Sequence, residues 1–257
     1  MTERDRLYEN LICEPGDFVF DERVVRVFPD MINRSVPGYA TVVPMLGMLA
    51  RRYAQAGSTL YDLGCSLGAV ALAMQAAVRA PGARIVAVDN APEMIRGLET
   101  RLEAAPAAES APPIEPLLQD VLDTRIERAS VTALNFTLQF VPLARRPELL
   151  ARIAAGTLPG GVLLLSEKIR FEDPVEEDLQ TAWHLDFKRA QGYSELEIAR
   201  KREALENVLR PEPLEAHLDR LERAGFARVC RWFQGLSLIH ISEPTRLRRN
   251  SRMPSSA

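Results

Sequence analysis

Between Ser58 and Lys168 the chain repeats one unit, a short apolar run followed by a helix-patterned segment. "STLYDLG", "ARIVAVDN", "IEPLLQD", "ASVTALNFTLQF" and "VLLLSEKI" read as strands, while "AVALAMQAAVRA", "APEMIRGLETRLEAA" and "ARRPELLARIAAGTL" read as helices. Strands separated by helices of this length return in the same direction. The predicted class is α/β, a Rossmann-like, mostly parallel sheet with helices on both faces. Residues 1–55 precede it with apolar side chains at helical spacing, as in "ERVVRVFPDMI". After the fifth strand, residues 171–217 are charged and helical. That stretch is too long for an ordinary connection and reads as a lid or an interface.

The chain has 257 residues, 47% of them hydrophobic, enough to build one core over residues 1–235. Cys13, Cys65 and Cys230 are too few and scattered for a disulfide framework or a zinc site, so no metal and a reducing, cytoplasmic compartment are expected. The charged start "MTERDRLYENL" is no signal peptide, and no apolar run reaches the roughly 18 residues of a membrane span. The end, Leu236–Ala257, contains "LSLIHISEPTR", which resembles a translated sequencing adapter. Residues 236–257 are therefore read as a foreign tail outside the fold. Whatever strand followed Gln234 or Gly235 is expected to be lost, leaving an open sheet edge. Four tail arginines against Glu243 carry +3; taking that from the chain's −3 leaves the body at −6. So acidic a body is a poor match for a phosphate backbone, and no direct nucleic-acid binding is expected.

The loop "DLGCSLG", Asp62–Gly68, admits three readings. A dinucleotide loop wants G-x-G-x-x-G; here Ser66 fills the middle position, and Asp62 would bring negative charge towards a pyrophosphate. "GCSLG" matches the G-x-S-x-G of serine hydrolases, with His184 or His217 as base, but it follows the first clear strand and lacks an upstream oxyanion motif. S-adenosylmethionine carries an ammonium and a ribose but no phosphate. For that ligand an acid near the first strand end is useful. Asp89 closes the second strand, where a carboxylate accepts ribose hydroxyls, and Gln119-Asp120 closes the third, where adenine would lie. Each acid alone reads as a polar loop residue; three in register at strand ends favour the nucleoside.

"FDERVVRVFPDMINRSVPGY", "YDLGCSLGAV", "VAVDNAPEMI", "LNFTLQF", "LSEKIRFED", "HLDFKRAQGYSELEI" and "KREALENVL" together resemble the carboxy-S-adenosyl-L-methionine synthases, relatives of class I methyltransferases. The resemblance implies the class I methyltransferase fold and an enzyme that carboxylates the methyl carbon of S-adenosyl-L-methionine. Prephenate is the implied co-substrate and phenylpyruvate is released. The product, carboxy-S-adenosyl-L-methionine, would pass to a tRNA carboxymethyltransferase acting at the wobble uridine. By the same resemblance Gly64, Cys65 and Ser66 hold the amino-acid end of the cofactor. Asp89 and Asn90 hold the ribose, Asp120 and Val121 the adenine, and Asn135 and Tyr39 lie against the cofactor. Arg202 pairs with the added carboxylate across a homodimer interface. Without the resemblance, Arg200–Arg202 read as a solvated helix face, Tyr39 as a packed tyrosine and His184 as a structural histidine. An ordinary methyltransferase acting on a small molecule or RNA is the alternative activity, and a cofactor-binding module the non-enzymatic one.

Overall fold

A computed structural model describes residues 4–5, 22–206, 208–226 and 228–244. Cys13, most of the predicted N-terminal segment before Glu22, and residues 245–257 with the tail arginines lie outside the described residues. Helices α1 (Glu22–Ser35) and α2 (Tyr39–Tyr53) lead into β1 (Thr59–Leu63), α3 (Ala69–Ala77), β2 (Arg84–Asp89), α4 (Pro92–Ala104), β3 (Ile114–Leu118) and β4 (Ala129–Asn135). Then come α5 (Arg146–Gly156), β5 (Thr157–Lys168), α6 (Pro174–Ala190), α7 (Glu195–Glu206), α8 (Leu214–Arg223), β6 (Cys230–Gly235) and β7 (Leu238–Pro244). The helical stretch after β5 is thus α6 and α7, with α8 starting just inside the predicted boundary.

The strand order is β3-β2-β1-β4-β5-β7-β6. β1 to β5 run parallel, and β7 is antiparallel to both β5 and β6. Side chains alternate across the sheet. Leu60, Ile85, Val131 and Leu164 pack with Val42 and Leu46 of α2 and Met74 of α3. Tyr61, Leu63, Leu134 and Leu165 pack on the other face with Leu149 and Ile153 of α5 and Leu221 of α8. Both faces are covered, which explains why the strands are nearly continuous apolar runs.

One expectation is corrected here. The sheet does not end on an open edge after Gly235, because Leu238–Pro244 form β7 and lie between β5 and β6. The physical reason is periodicity. "LIHIS" alternates, so Ile239 and Ile241 enter the α5/α8 core with no exposed surface while β5 gains a full ladder partner. Ile241→Ala is expected to lower the unfolding free energy by about 2–4 kcal/mol. Urea denaturation checks this, and a loss below about 1 kcal/mol would show that β7 is not part of the packed sheet.

Candidate active site

The loop after β1 is built on left-handed backbone. Gly64 (φ 77°), Ser66 (φ 48°) and Gly68 (φ 75°) all have positive φ. A Cβ on Gly64 would stand 2.4 Å from the Thr137 side chain, and one on Gly68 would stand 2.4 Å from Leu98 Cδ1. The two glycines are therefore required for space as well as for conformation. Ser66 holds its strained position because its N–H donates to Asp89 Oδ2 at 2.8 Å. The N–H groups of Gly64 and Cys65 both donate to the Val88 carbonyl, at 2.8 and 2.9 Å. The Ala71 N–H in the first turn of α3 donates to Asp62 Oδ2 at 2.8 Å. Asp62 thus anchors a helix start as well as facing the site, and burial pushes its carboxyl up to about 7, with the charge of Asp89 adding to the shift.

Above the C-terminal ends of β1 to β5 lies a cavity of about 420 Å³. Tyr39, Asp62, Gly64, Cys65, Ser66, Asp89, Asn90, Asp120, Val121 and Asn135 all border it. Open α/β sheets bind ligands at this edge. Burial raises the Asp89 carboxyl above its ordinary range, and its two oxygens take the N–H groups of Ser66 and Ala91. A carboxylate offers about four acceptor positions, so acceptor capacity remains for a ligand hydroxyl. Asp120 Oδ1 accepts the Leu122 N–H at 2.8 Å, and the Arg152 guanidinium donates to the Val121 and Leu122 carbonyls, fixing the loop after β3. Burial, then the charge of Asp62, raises the Tyr39 hydroxyl, which stays a donor at neutral pH. Asn135 Oδ1 is buried with no hydrogen-bond partner among the described residues, and Asn135 borders the cavity; that oxygen is an acceptor that a ligand donor would satisfy. The donor and acceptor set fits a nucleoside bearing an amino-acid arm.

Arg202 is not among the cavity-lining residues of its own chain; it is exposed on α7. Its charge nevertheless helps lower the pKa values of Lys168 and Lys188, which do border the cavity. The sequence reading missed these two lysines, Lys201 and Arg101, and read His184 as structural; all five line the cavity. Arg101 lies close enough to Tyr39 for each to shift the other's pKa.

The serine-hydrolase reading fails on geometry. His184 Nε2 lies 2.9 Å from the Ser35 carbonyl oxygen, His240 Nδ1 lies 2.7 Å from Ser166 Oγ, and neither ring nitrogen of His217 has a partner among the described residues. No histidine among the described residues bonds Ser66. Among those residues there is no cluster of His, Cys, Asp or Glu that could hold a metal ion, and no helix is long and apolar enough to cross a membrane.

A methyltransferase domain family model matches residues 60–161. The carboxy-S-adenosyl-L-methionine synthase of Pseudomonas putida (strain GB-1) is 54% identical over 238 residues, covering 92% of this chain and 96% of the relative. The protein of that name from Hahella chejuensis is 49% identical over 241 residues, with coverage of 92% and 96%. Among solved structures, an O-methyltransferase family protein from Burkholderia thailandensis superposes with a TM-score of 0.66 at 19% identity, over 90% of this chain and 62% of that one. Human N-acetylserotonin methyltransferase superposes with a TM-score of 0.57 at 17% identity, over 88% and 55% of the two chains. Those two likenesses concern the fold, which is that of the class I methyltransferases. The identity to the curated relatives extends over nearly their whole length, so the chain belongs to the carboxy-S-adenosyl-L-methionine synthase family.

Proposed function

We propose that this chain makes carboxy-S-adenosyl-L-methionine from S-adenosyl-L-methionine, with prephenate as carboxyl donor and phenylpyruvate as by-product. The observation that carries the reading is the row of Asp120, Asp89, Gly64–Ser66 and Asn135 along adjacent strand ends, all bordering one cavity. The cofactor supplies a sulfonium that acidifies its methyl group. The donor supplies carbon dioxide and, as its ring becomes aromatic, a hydroxide that leaves as water with the methyl proton. The new carbon–carbon bond joins the methyl carbon to carbon dioxide.

The chain's own residues position and protect this chemistry. Asp89 and Asn90 hold the ribose, and the loop from Asp120 to Leu122 holds the adenine. Gly64, Cys65, Ser66, Tyr39 and Asp62 enclose the amino-acid arm, with Arg101 available to its carboxylate. Asn135 stands beside the methyl end. Phe28, Met31 and Ile32 of α1 roof the same cavity and exclude water, which would otherwise protonate the methyl carbon. Arg202 pairs with the new carboxylate; a guanidinium does so in bidentate fashion and keeps its proton.

The working unit is a homodimer. Helix α6 buries none of its residues within one chain, and Val175, Leu179 and Trp183 form an exposed stripe four residues apart. A second copy of this chain would cover that stripe and bring its own α7, with Arg202, to the neighbouring cavity. The enzyme works in the cytoplasm, does not itself bind tRNA, and hands its product to a tRNA carboxymethyltransferase. The 236–257 segment is foreign in origin, with its first part recruited into β7.

Mass analysis of the cofactor pool after incubation with S-adenosylmethionine and prephenate should find a species heavier by one carboxyl group. Finding only unmodified cofactor would overturn the reading. Asp89→Asn should weaken S-adenosylmethionine binding by about 10–100-fold in calorimetry, because one acceptor becomes a donor facing the Ser66 N–H. In the unaltered protein the affinity should fall as pH drops, starting above the usual carboxylate range because burial raises Asp89. Arg202→Ala should keep cofactor affinity within about twofold and lose at least about tenfold in carboxylated product. Unchanged turnover would remove Arg202 from the site.

A further inference from the structure

The cavity is electrically two-sided. Asp62 and Asp89 belong to β1 and β2, and Asp120 follows β3, on one side of the strand order. Lys168 closes β5, on the far side of β4, and Lys188 of α6 and Lys201 of α7 are grouped with it, all three charges acting on His184. β5 stands three strand steps from β2, about 14 Å at the usual spacing. The lysines therefore lie beyond the positions assigned to adenine and ribose, on the side of Asn135.

Lys201 is committed within the chain. Its ammonium donates to Ser35 Oγ at 2.8 Å, stands 3.8 Å from Asp5 Oδ2 and lies 5.3 Å from the centre of the Tyr193 ring. Lys168 and Lys188 are different, since neither ammonium makes a hydrogen bond or ion pair among the described residues. Burial holds both below their ordinary values, Lys188 at about 8, and the charge of Lys168 depresses Lys188 further. Glu177 is the one acid that acts appreciably on Lys168, and Arg202 adds further positive charge to both lysines. Half-buried, mutually repelling cations in a chain of net charge −3 are costly unless an anion joins them. The cofactor carboxylate does not meet this need, because its arm is assigned to the loop after β1 beside Arg101.

His184 adds a neutral acceptor. A carbonyl only accepts, so the 2.9 Å contact with the Ser35 oxygen puts the proton on Nε2. Burial keeps the ring uncharged, with its pKa at about 4, and Nδ1 then carries a lone pair with no hydrogen-bond partner among the described residues. Two cations beside one neutral acceptor suit a ligand with two carboxylates and a hydroxyl.

We propose that Lys168 and Lys188 form a second anion subsite that docks the carboxyl donor as a dianion. They grip the carboxylate that is not transferred and aim the other at the methyl end beside Asn135, while His184 Nδ1 accepts from the hydroxyl. This assignment rests on the proposed function and names the donor-binding residues of the same site.

The test loads the full chain with S-adenosylhomocysteine, which has no methyl to react, and titrates prephenate by calorimetry. Parallel steady-state assays use S-adenosylmethionine. Lys168→Met and Lys188→Met should each weaken prephenate binding at least tenfold and raise its KM similarly, with kcat changed less. S-adenosylmethionine affinity should stay within twofold, which also reports that the variants fold. Lys188→Arg should restore most of the donor affinity, as packing alone would not. Prephenate affinity and KM within twofold of the unaltered protein in both methionine variants, with carboxylated product still made, would overturn the subsite and leave the activity standing. An unaltered protein that neither binds prephenate nor carboxylates the cofactor would overturn the subsite's ligand together with the reading beneath it.

Discussion

Asp89 accepts the N–H of Ser66 at 2.8 Å and that of Ala91 at 2.9 Å, and much of the site depends on this one buried carboxylate. The first bond ties the loop after β1 to the end of β2; the second opens the turn into α4. A non-glycine residue in the left-handed region costs about 1–2 kcal/mol. A hydrogen bond to a charged acceptor contributes about 1.5–3 kcal/mol, enough to hold Ser66 at φ 48°. With Ser66 fixed, Gly64 and Gly68 complete a loop of alternating left-handed residues whose backbone lies against the cavity. Asp62 does the same service for α3 through Ala71. Two carboxylates are thereby buried within reach of one another, and the burial that makes them good anchors also raises both of their pKa values.

The parallel sheet and its ligand edge were legible in the sequence because each strand ends in a residue whose type announces the end. Asp62-x-Gly64, Asp89, Asp120 and Asn135 sit at successive β-to-α turns, and the repeat itself fixes their common edge. β7 was not legible, for a different reason. "LSLIHISEPTR" was judged by its origin, whereas a sheet selects by period and by the need to pair backbone groups. A seven-residue stretch with Ile239 and Ile241 on one face meets both demands whatever its source.

The basic side of the site was invisible in the sequence because no spacing connects its parts. Lys168, Lys188 and Lys201 come from a strand end and two separate helices, and only the tertiary fold brings them to one wall. "ARKRE" illustrates the difficulty at a single turn. Adjacent helical residues diverge by about 100°, so Lys201 turns inward to Ser35 while Arg202 faces outward. A reading of residue types alone finds three cations in a row and cannot tell which of them the chain itself will use.

The separation of charge across the cavity suits the two ligands proposed for it. A dianion 4 Å from an ionised Asp89 would meet a repulsion of about 4 kcal/mol per charge pair at an effective dielectric of 20. At about 14 Å the same pair costs little more than about 1 kcal/mol. Placing the donor at β5 instead of β1 therefore removes most of that penalty before any lysine contributes. A sulfonium has the opposite preference, since it is favoured by the aspartates and repelled by the lysines. On the proposed assignment each ligand is therefore disfavoured in the other's position, by the strand ends and the lysines together. On that assignment the cationic methyl and the donor's departing carboxylate would meet in the zone between the two charged walls. That zone is where Asn135, at the end of the intervening β4, leaves its side-chain oxygen without a partner among the described residues.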